Sequence, residues 1–197
     1  MSTPSISEIV AAAGRLRGMA ARSPFIDSPW LSNLTGGEVR LKLELTQPTG
    51  SYKVRGAANA LSLLKQRSPA STTVVTASPG NHGAACAWAA GKLGLHVRVY
   101  VPAKAPAAKR DNLTRLGAEV VEAADYDAAE AAAHADAAAT GCPYLSPYND
   151  DDVIAGAGTS ALEMLEDWPE LDTFITPLGG GGLLSGTAIV ARSTRSE

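Results

Sequence analysis

The chain has 197 residues, 45% of them hydrophobic, with 17 basic against 20 acidic side chains and a formal net charge of -3. That length admits one large domain or two small ones, and the apolar share is enough for a core. With no basic run, no aromatic ladder and no apolar stretch long enough for a bilayer, neither nucleic acid nor membrane is an expected partner.

The amino terminus lacks a basic segment followed by a long apolar run, so no signal peptide is expected. Residues 5–20 read as an amphipathic helix, with Ile6, Ile9, Val10, Ala13, Leu16 and Met19 on one side. An irregular, proline-bearing lead-in runs from Ser23 to Thr35. Leu41, Leu43 and Leu45 then alternate with Arg40, Lys42 and Glu44, the two-residue period of a half-buried strand. After Thr49-Gly50-Ser51-Tyr52-Lys53, the residues Val54, Ala57, Ala58, Leu61 and Leu64 mark one face of a helix. Thr49 or Ser51 is the expected cap, its oxygen accepting a free backbone N–H. Lys53 then falls in the first turn, where the positive end of the helix disfavours an ammonium. A lysine held uncharged keeps a nucleophilic amine, although on this stretch alone the simpler reading is a surface lysine reaching water.

From Thr72 onward the pattern is regular. Strand 73–76 leads into the loop Ser78-Pro79-Gly80-Asn81-His82-Gly83, then a small-residue helix over 84–92 ended by Gly94. Strand 96–101, helix 106–116, strand 118–122 and an alanine-rich helix over 126–139 follow. Cys86 lies inside the apolar helix pattern, and neither it nor Cys142 has paired-ligand spacing, which fits a reducing cytoplasm. A helix over 151–166 opens on Asp150-Asp151-Asp152; acids at a helix start are favourable without any metal, and none is expected. Strand 172–176 then runs through Pro177-Leu178 into Gly179-Gly180-Gly181-Gly182 and a last helix over 183–192. Short strands alternating with helices of this length predict an α/β fold with parallel sheets and flanking helices.

Two loops carry chemistry. Four adjacent glycines exceed what a turn needs, so with a helix start behind them a cradle for an anion such as phosphate is the favoured reading, against a tight turn with close packing. No Gly-Lys-Ser or Gly-Lys-Thr makes this a nucleotide P-loop, and Ser185 stands where a dinucleotide fingerprint needs a small third glycine. The loop 78–83 sits at the carboxyl end of a strand, where parallel sheets bind ligands. Ser78 offers a hydroxyl and Asn81 an amide there. His82 invites a role as base, against the commoner structural role of a lone histidine.

Taken together, Ser51-Tyr52-Lys53-Val54-Arg55-Gly56-Ala57, Ser78-Pro79-Gly80-Asn81-His82-Gly83 and Gly179-Gly180-Gly181-Gly182-Leu183 resemble the serine/threonine dehydratases in order and spacing. With serine racemases, these belong to the tryptophan-synthase-β-like group of pyridoxal-phosphate enzymes. Ser28-Pro29-Trp30 loosely resembles that family's Thr-Pro-Leu, and Asn-His-Gly with four glycines points to its dehydratase branch.

The resemblance implies that Lys53 bonds pyridoxal phosphate and later moves the substrate's α-proton. It implies that Gly179, Gly180, Gly181, Gly182 and Leu183 hold the phosphate through N–H groups, that Asn81 bonds the ring's phenolic oxygen, and that Tyr52 packs near the ring. Ser78, Gly80, Asn81 and His82 would bind the substrate carboxylate. The implied reaction is β-elimination from L-threonine or L-serine, giving a 2-oxo acid and ammonia. Ser78 on the face opposite the lysine leaves racemisation, or another ammonia-lyase, as an alternative. Arg55 has no derivable role beyond an ion pair. By the same resemblance the domains would be a small one over 48–145 and an incomplete larger one from 1–47 and 146–197. Family members continue past this point, so weak or no activity is expected of this polypeptide alone, and an inactive fragment is the third reading. A homo-oligomer is also implied.

Overall fold

The computed structural model describes residues 3–194. Residues 1, 2 and 195–197 of the expected larger domain lie outside the described residues. Helix α1 (Ile6–Arg15) opens on a capping box, in which the Ser5 side chain accepts from Glu8 N and Glu8 accepts from Ser5 N at 2.7 Å. It buries Ile9 and Ala12 and ends sooner than its periodicity predicts, because Gly18 turns the chain at φ +78°.

The lead-in is more ordered than expected. Strand β1 (Phe25–Asp27) pairs antiparallel with β2 (Arg40–Lys42), and between them lies helix α2 (Pro29–Thr35). Pro29 occupies the first helical position, where its fixed φ helps and its missing N–H costs nothing, and Gly36 closes the helix at φ +74°. The alternation over 40–45 carries only as far as Lys42; Glu44–Thr46 is a 3-10 turn. Leu45 faces solvent, 70% exposed, while Glu44 turns inward to a buried arginine. An ion pair has overridden the hydrophobic period.

Helix α3 (Lys53–Arg67) carries the lysine at its first position. Neither expected cap acts: the N-cap is Tyr52 without a side-chain bond, and Thr49 Oγ1 and Ser51 Oγ are buried with no partner. Strands β3 (Thr73–Ala77), β4 (His96–Pro102) and β5 (Glu119–Ala123) form a parallel sheet in that order. Helices α4 (Asn81–Leu93), α5 (Ala107–Arg115) and α6 (Tyr126–Thr140) make the crossovers. Tyr144 bridges Val75 on the free side of β3, with Val75 N to Pro143 O at 2.9 Å and Leu145 N to Val75 O at 2.8 Å. That short strand-like segment, absent from the sequence reading, delivers residues 146–148 to the carboxyl end of the sheet. The protein is thus an α/β fold of parallel sheet and flanking helices.

Helices α7 (Asp151–Asp167) and α8 (Gly182–Thr194) pack on each other and on α1. Asp150 caps α7 by accepting from Val153 N at 2.9 Å. Helix α7 also lies against α3, so closely that a Cβ on Gly156 would stand 2.5 Å from Arg55 O. The expected strand over 172–176 is not formed: no described strand lies beside it to pair with, and Ile175 is 90% exposed. Among the described residues no helix is long and apolar enough to cross a membrane, and no cluster could hold a metal ion.

Candidate active site

Lys53 is half-buried at the start of α3, and its Nζ donates to Pro147 O at 2.7 Å. Burial lowers its affinity for a proton, with the nearby Cys86 working weakly the other way. The amine lies 5.3 Å from the centre of the Tyr52 ring. It lines a cavity of about 330 Å³ together with Ser78, Asn81, His82, Tyr148 and Glu130.

The loop after β3 is held by its own bonds. Gly80 N donates to Ser78 Oγ at 3.3 Å, and α4 begins at Asn81, so that the free N–H groups of its first turn stand beside the cavity. Gly80 lines a second cavity, of about 460 Å³, on the α5 side of the same turn, together with Pro79 and Asn81, which line both.

His82 is buried, 3% exposed, with Nε2 at 3.4 Å from both Leu145 O and Cys86 Sγ. Burial first, and the Lys53 charge second, push its pKa down to about 3, so the ring is neutral at ordinary pH. Thr76 Oγ1 donates to the same Leu145 carbonyl at 2.8 Å. His82 and Thr76 together fasten the segment whose next carbonyls reach Lys53. The Nδ1 atom of His82 has no partner. Cys86 is fully buried one helical turn further on, and burial raises its thiol pKa far above the usual range.

The glycines do not line the cavity of Lys53; they meet it through Tyr148. A Cβ on Gly180 would come within 2.5 Å of Tyr148 Cβ, Cγ and Cδ1, so only glycine admits this approach. Gly181 has φ +89°, and Gly182 opens α8, 3.5 Å (from a built Cβ) to Tyr148 O. Leu183 is buried behind them. Tyr148 therefore touches both the amine's cavity and the glycine loop.

Behind the lysine lies a different polar cluster. Arg55, 1% exposed, donates to Glu44 at 2.8 Å and to Glu163 at 2.7 Å, and also to Thr159 Oγ1 and Ala21 O. Lys42 Nζ bonds Glu163 at 2.7 Å and Ser23 O at 2.8 Å. Burial works against the Arg55 charge, but the two carboxylates outweigh it and hold its pKa above the usual value.

Sequence reasoning missed Pro147, Tyr148 and Glu130. The first two follow directly on the unrecognised strand-like segment after Cys142. Glu130 lies in the alanine-rich α6, where period alone gives no hint that one carboxylate faces a cavity.

Residues 16–197 match the family model described as "Pyridoxal-phosphate dependent enzyme". The chain is 38% identical over 194 residues to an L-threonine ammonia-lyase of Thermotoga maritima, covering 98% of this chain and 48% of that protein. It is 36% identical over 198 residues to a β-hydroxyaspartate dehydratase of Paracoccus denitrificans, covering 100% of this chain and 62% of that one. The solved structure of maize serine racemase superposes with a TM-score of 0.91 at 35% identity, covering 98% of this chain and 58% of its own. The chain thus spans roughly half to three-fifths of the length of these relatives.

Proposed function

The chain belongs to the family of pyridoxal-phosphate dependent enzymes, and on that premise we propose that its site serves β-elimination from L-threonine or L-serine, yielding a 2-oxo acid and ammonia. The observation that carries this reading is a half-buried amine of lowered basicity, in one cavity with Ser78, Asn81 and His82, whose wall Tyr148 rests on the glycine loop. The residues fit the cofactor. Lys53 is a nucleophilic amine when uncharged. The first turn of α8 and the N–H groups of Gly179, Gly180, Gly181, Gly182 and Leu183 suit a phosphate. When bound, the cofactor supplies an electron sink for the bond-breaking at the substrate's Cα.

In this reading Lys53 holds the cofactor and then carries the proton at the substrate's Cα. Asn81 hydrogen-bonds the cofactor ring and Tyr52 packs beside it. Ser78, Gly80, Asn81 and His82 receive the substrate carboxylate at the start of α4. His82, neutral and fixed through Nε2, acts by holding the loop and the 145–148 segment in register. The proposal includes a small domain over 48–145 and a larger one from 1–47 and 146–197. It also includes an oligomer of like chains and a cytoplasmic setting, the last supported by two unpaired thiols.

A second reading, racemisation, is favoured by Ser78 lining the same cavity as Lys53, which places two proton-carrying groups around one substrate. Chiral analysis of L-serine incubations separates the two: D-serine marks the racemase, 2-oxo acid release the lyase. The primary test is reduction of the cofactor-loaded chain with borohydride, followed by peptide mass mapping. The cofactor adduct is expected on Lys53 and is lost in Lys53→Ala. An adduct that survives that substitution unchanged overturns the assignment.

A further inference from the structure

The names of the relatives span an uncharged and an acidic β-hydroxy amino acid, so identity alone does not choose between them. The charge inside the cavity does. Among the described residues lining it, the side chains that bear charge are Lys53 and Glu130, because His82 is buried neutral. Lys53 serves the cofactor and then, as an amine of lowered basicity, the proton at Cα, which leaves the Glu130 carboxylate as the standing charge. Its Oε1 accepts from the Tyr148 hydroxyl at 3.3 Å. That hydroxyl keeps its proton, since burial and the Glu130 charge both raise its pKa.

We propose that Glu130 is a specificity-determining residue: it excludes amino acids with a second carboxylate and admits side chains that are uncharged or carry an ammonium. The substrate's α-carboxylate has the N-terminus of α4 as its partner. A second carboxylate finds no cation in this cavity and enters the field of Glu130, a like charge in a medium less polarisable than water. The nearby basic side chains Lys109 and Arg115 line the other cavity, beyond the Pro79–Asn81 turn. This inference rests on the reading of Lys53 given above.

The test is a binding titration of the full, cofactor-loaded chain, followed by the cofactor's visible absorption, with L-serine, 2,3-diaminopropionate and L-aspartate. L-Serine and 2,3-diaminopropionate are expected to bind at least about tenfold more tightly than L-aspartate, the scale of one unfavourable like-charge contact. Glu130→Gln is expected to narrow that gap, and Glu130→Arg to reverse it, with thermal melting as the fold control; should the arginine variant not fold, the glutamine variant decides. Equal affinity for L-serine and L-aspartate in the unaltered chain, or an unchanged ratio in Glu130→Gln, overturns the inference and leaves the Lys53 reading intact. Absence of a borohydride-trapped adduct on Lys53 overturns both.

Discussion

Two positions two residues apart in the chain, Lys53 and Arg55, open the same helix into opposite polar worlds. Around Arg55 every charge is answered: two cations meet two carboxylates, and Ser23, Gln47 and Thr159 take up what remains. Around Lys53 the accounts are open. Its amine has one carbonyl, His82 Nδ1 and Ser51 Oγ have no partner, and Lys53 and His82 line a cavity. A buried polar network that is complete holds a fold in register; one that is incomplete awaits a ligand. Because both start from α3, the closed side can hold the open side steady.

The largest effect that should sharpen this contrast comes from Arg55→Met. It leaves Glu44 without a cation and Glu163 with Lys42 alone, and is expected to cost about 3–5 kcal/mol in urea unfolding, the range for breaking a buried ion pair. A loss within experimental error would mean the network is ornamental. Next comes acid. His82 has a native pKa of about 3 against a usual 6.5, so below 6.5 the unfolded chain binds a proton the native one refuses. Stability is therefore full above pH 6.5 and falls as pH drops toward 3, by about 2 kcal/mol between pH 6.5 and 5. Urea titrations at those two values check the slope, and His82→Asn should flatten it. The smallest effect belongs to Lys53→Ala. Removing a half-buried cation whose charge is already disfavoured is expected to change stability by less than about 1 kcal/mol. A cost as large as that of Arg55→Met would erase the distinction between the two sides.

Much of this was legible in the residues. The helices and the parallel sheet announce themselves through period and glycine punctuation, and two of the three motifs supply Lys53, Ser78, Asn81 and His82 to one cavity, while the glycines meet it only through Tyr148. What escaped has physical causes. Glu44 broke a clean alternation because a guanidinium distant in sequence attracts it. Pro29 looked like irregularity and is a helix start. The run 172–176, with its Thr, Phe and Ile, has the composition of a strand, but a strand needs a neighbour to hydrogen-bond, and none of the described residues supplies one. Glu130 and Tyr148 escaped because their meaning lies in what α6 and the segment after Tyr144 face, which no local pattern encodes.

Cys86 lies enclosed against His82 and near Lys53, whereas Cys142 is partly open to solvent. An alkylating reagent thus finds Cys142 in the native molecule and Cys86 only once the layer beneath the lysine has parted. The protein carries its own reporter: the rate at which the second sulfur becomes modifiable clocks how often the floor of the site breathes.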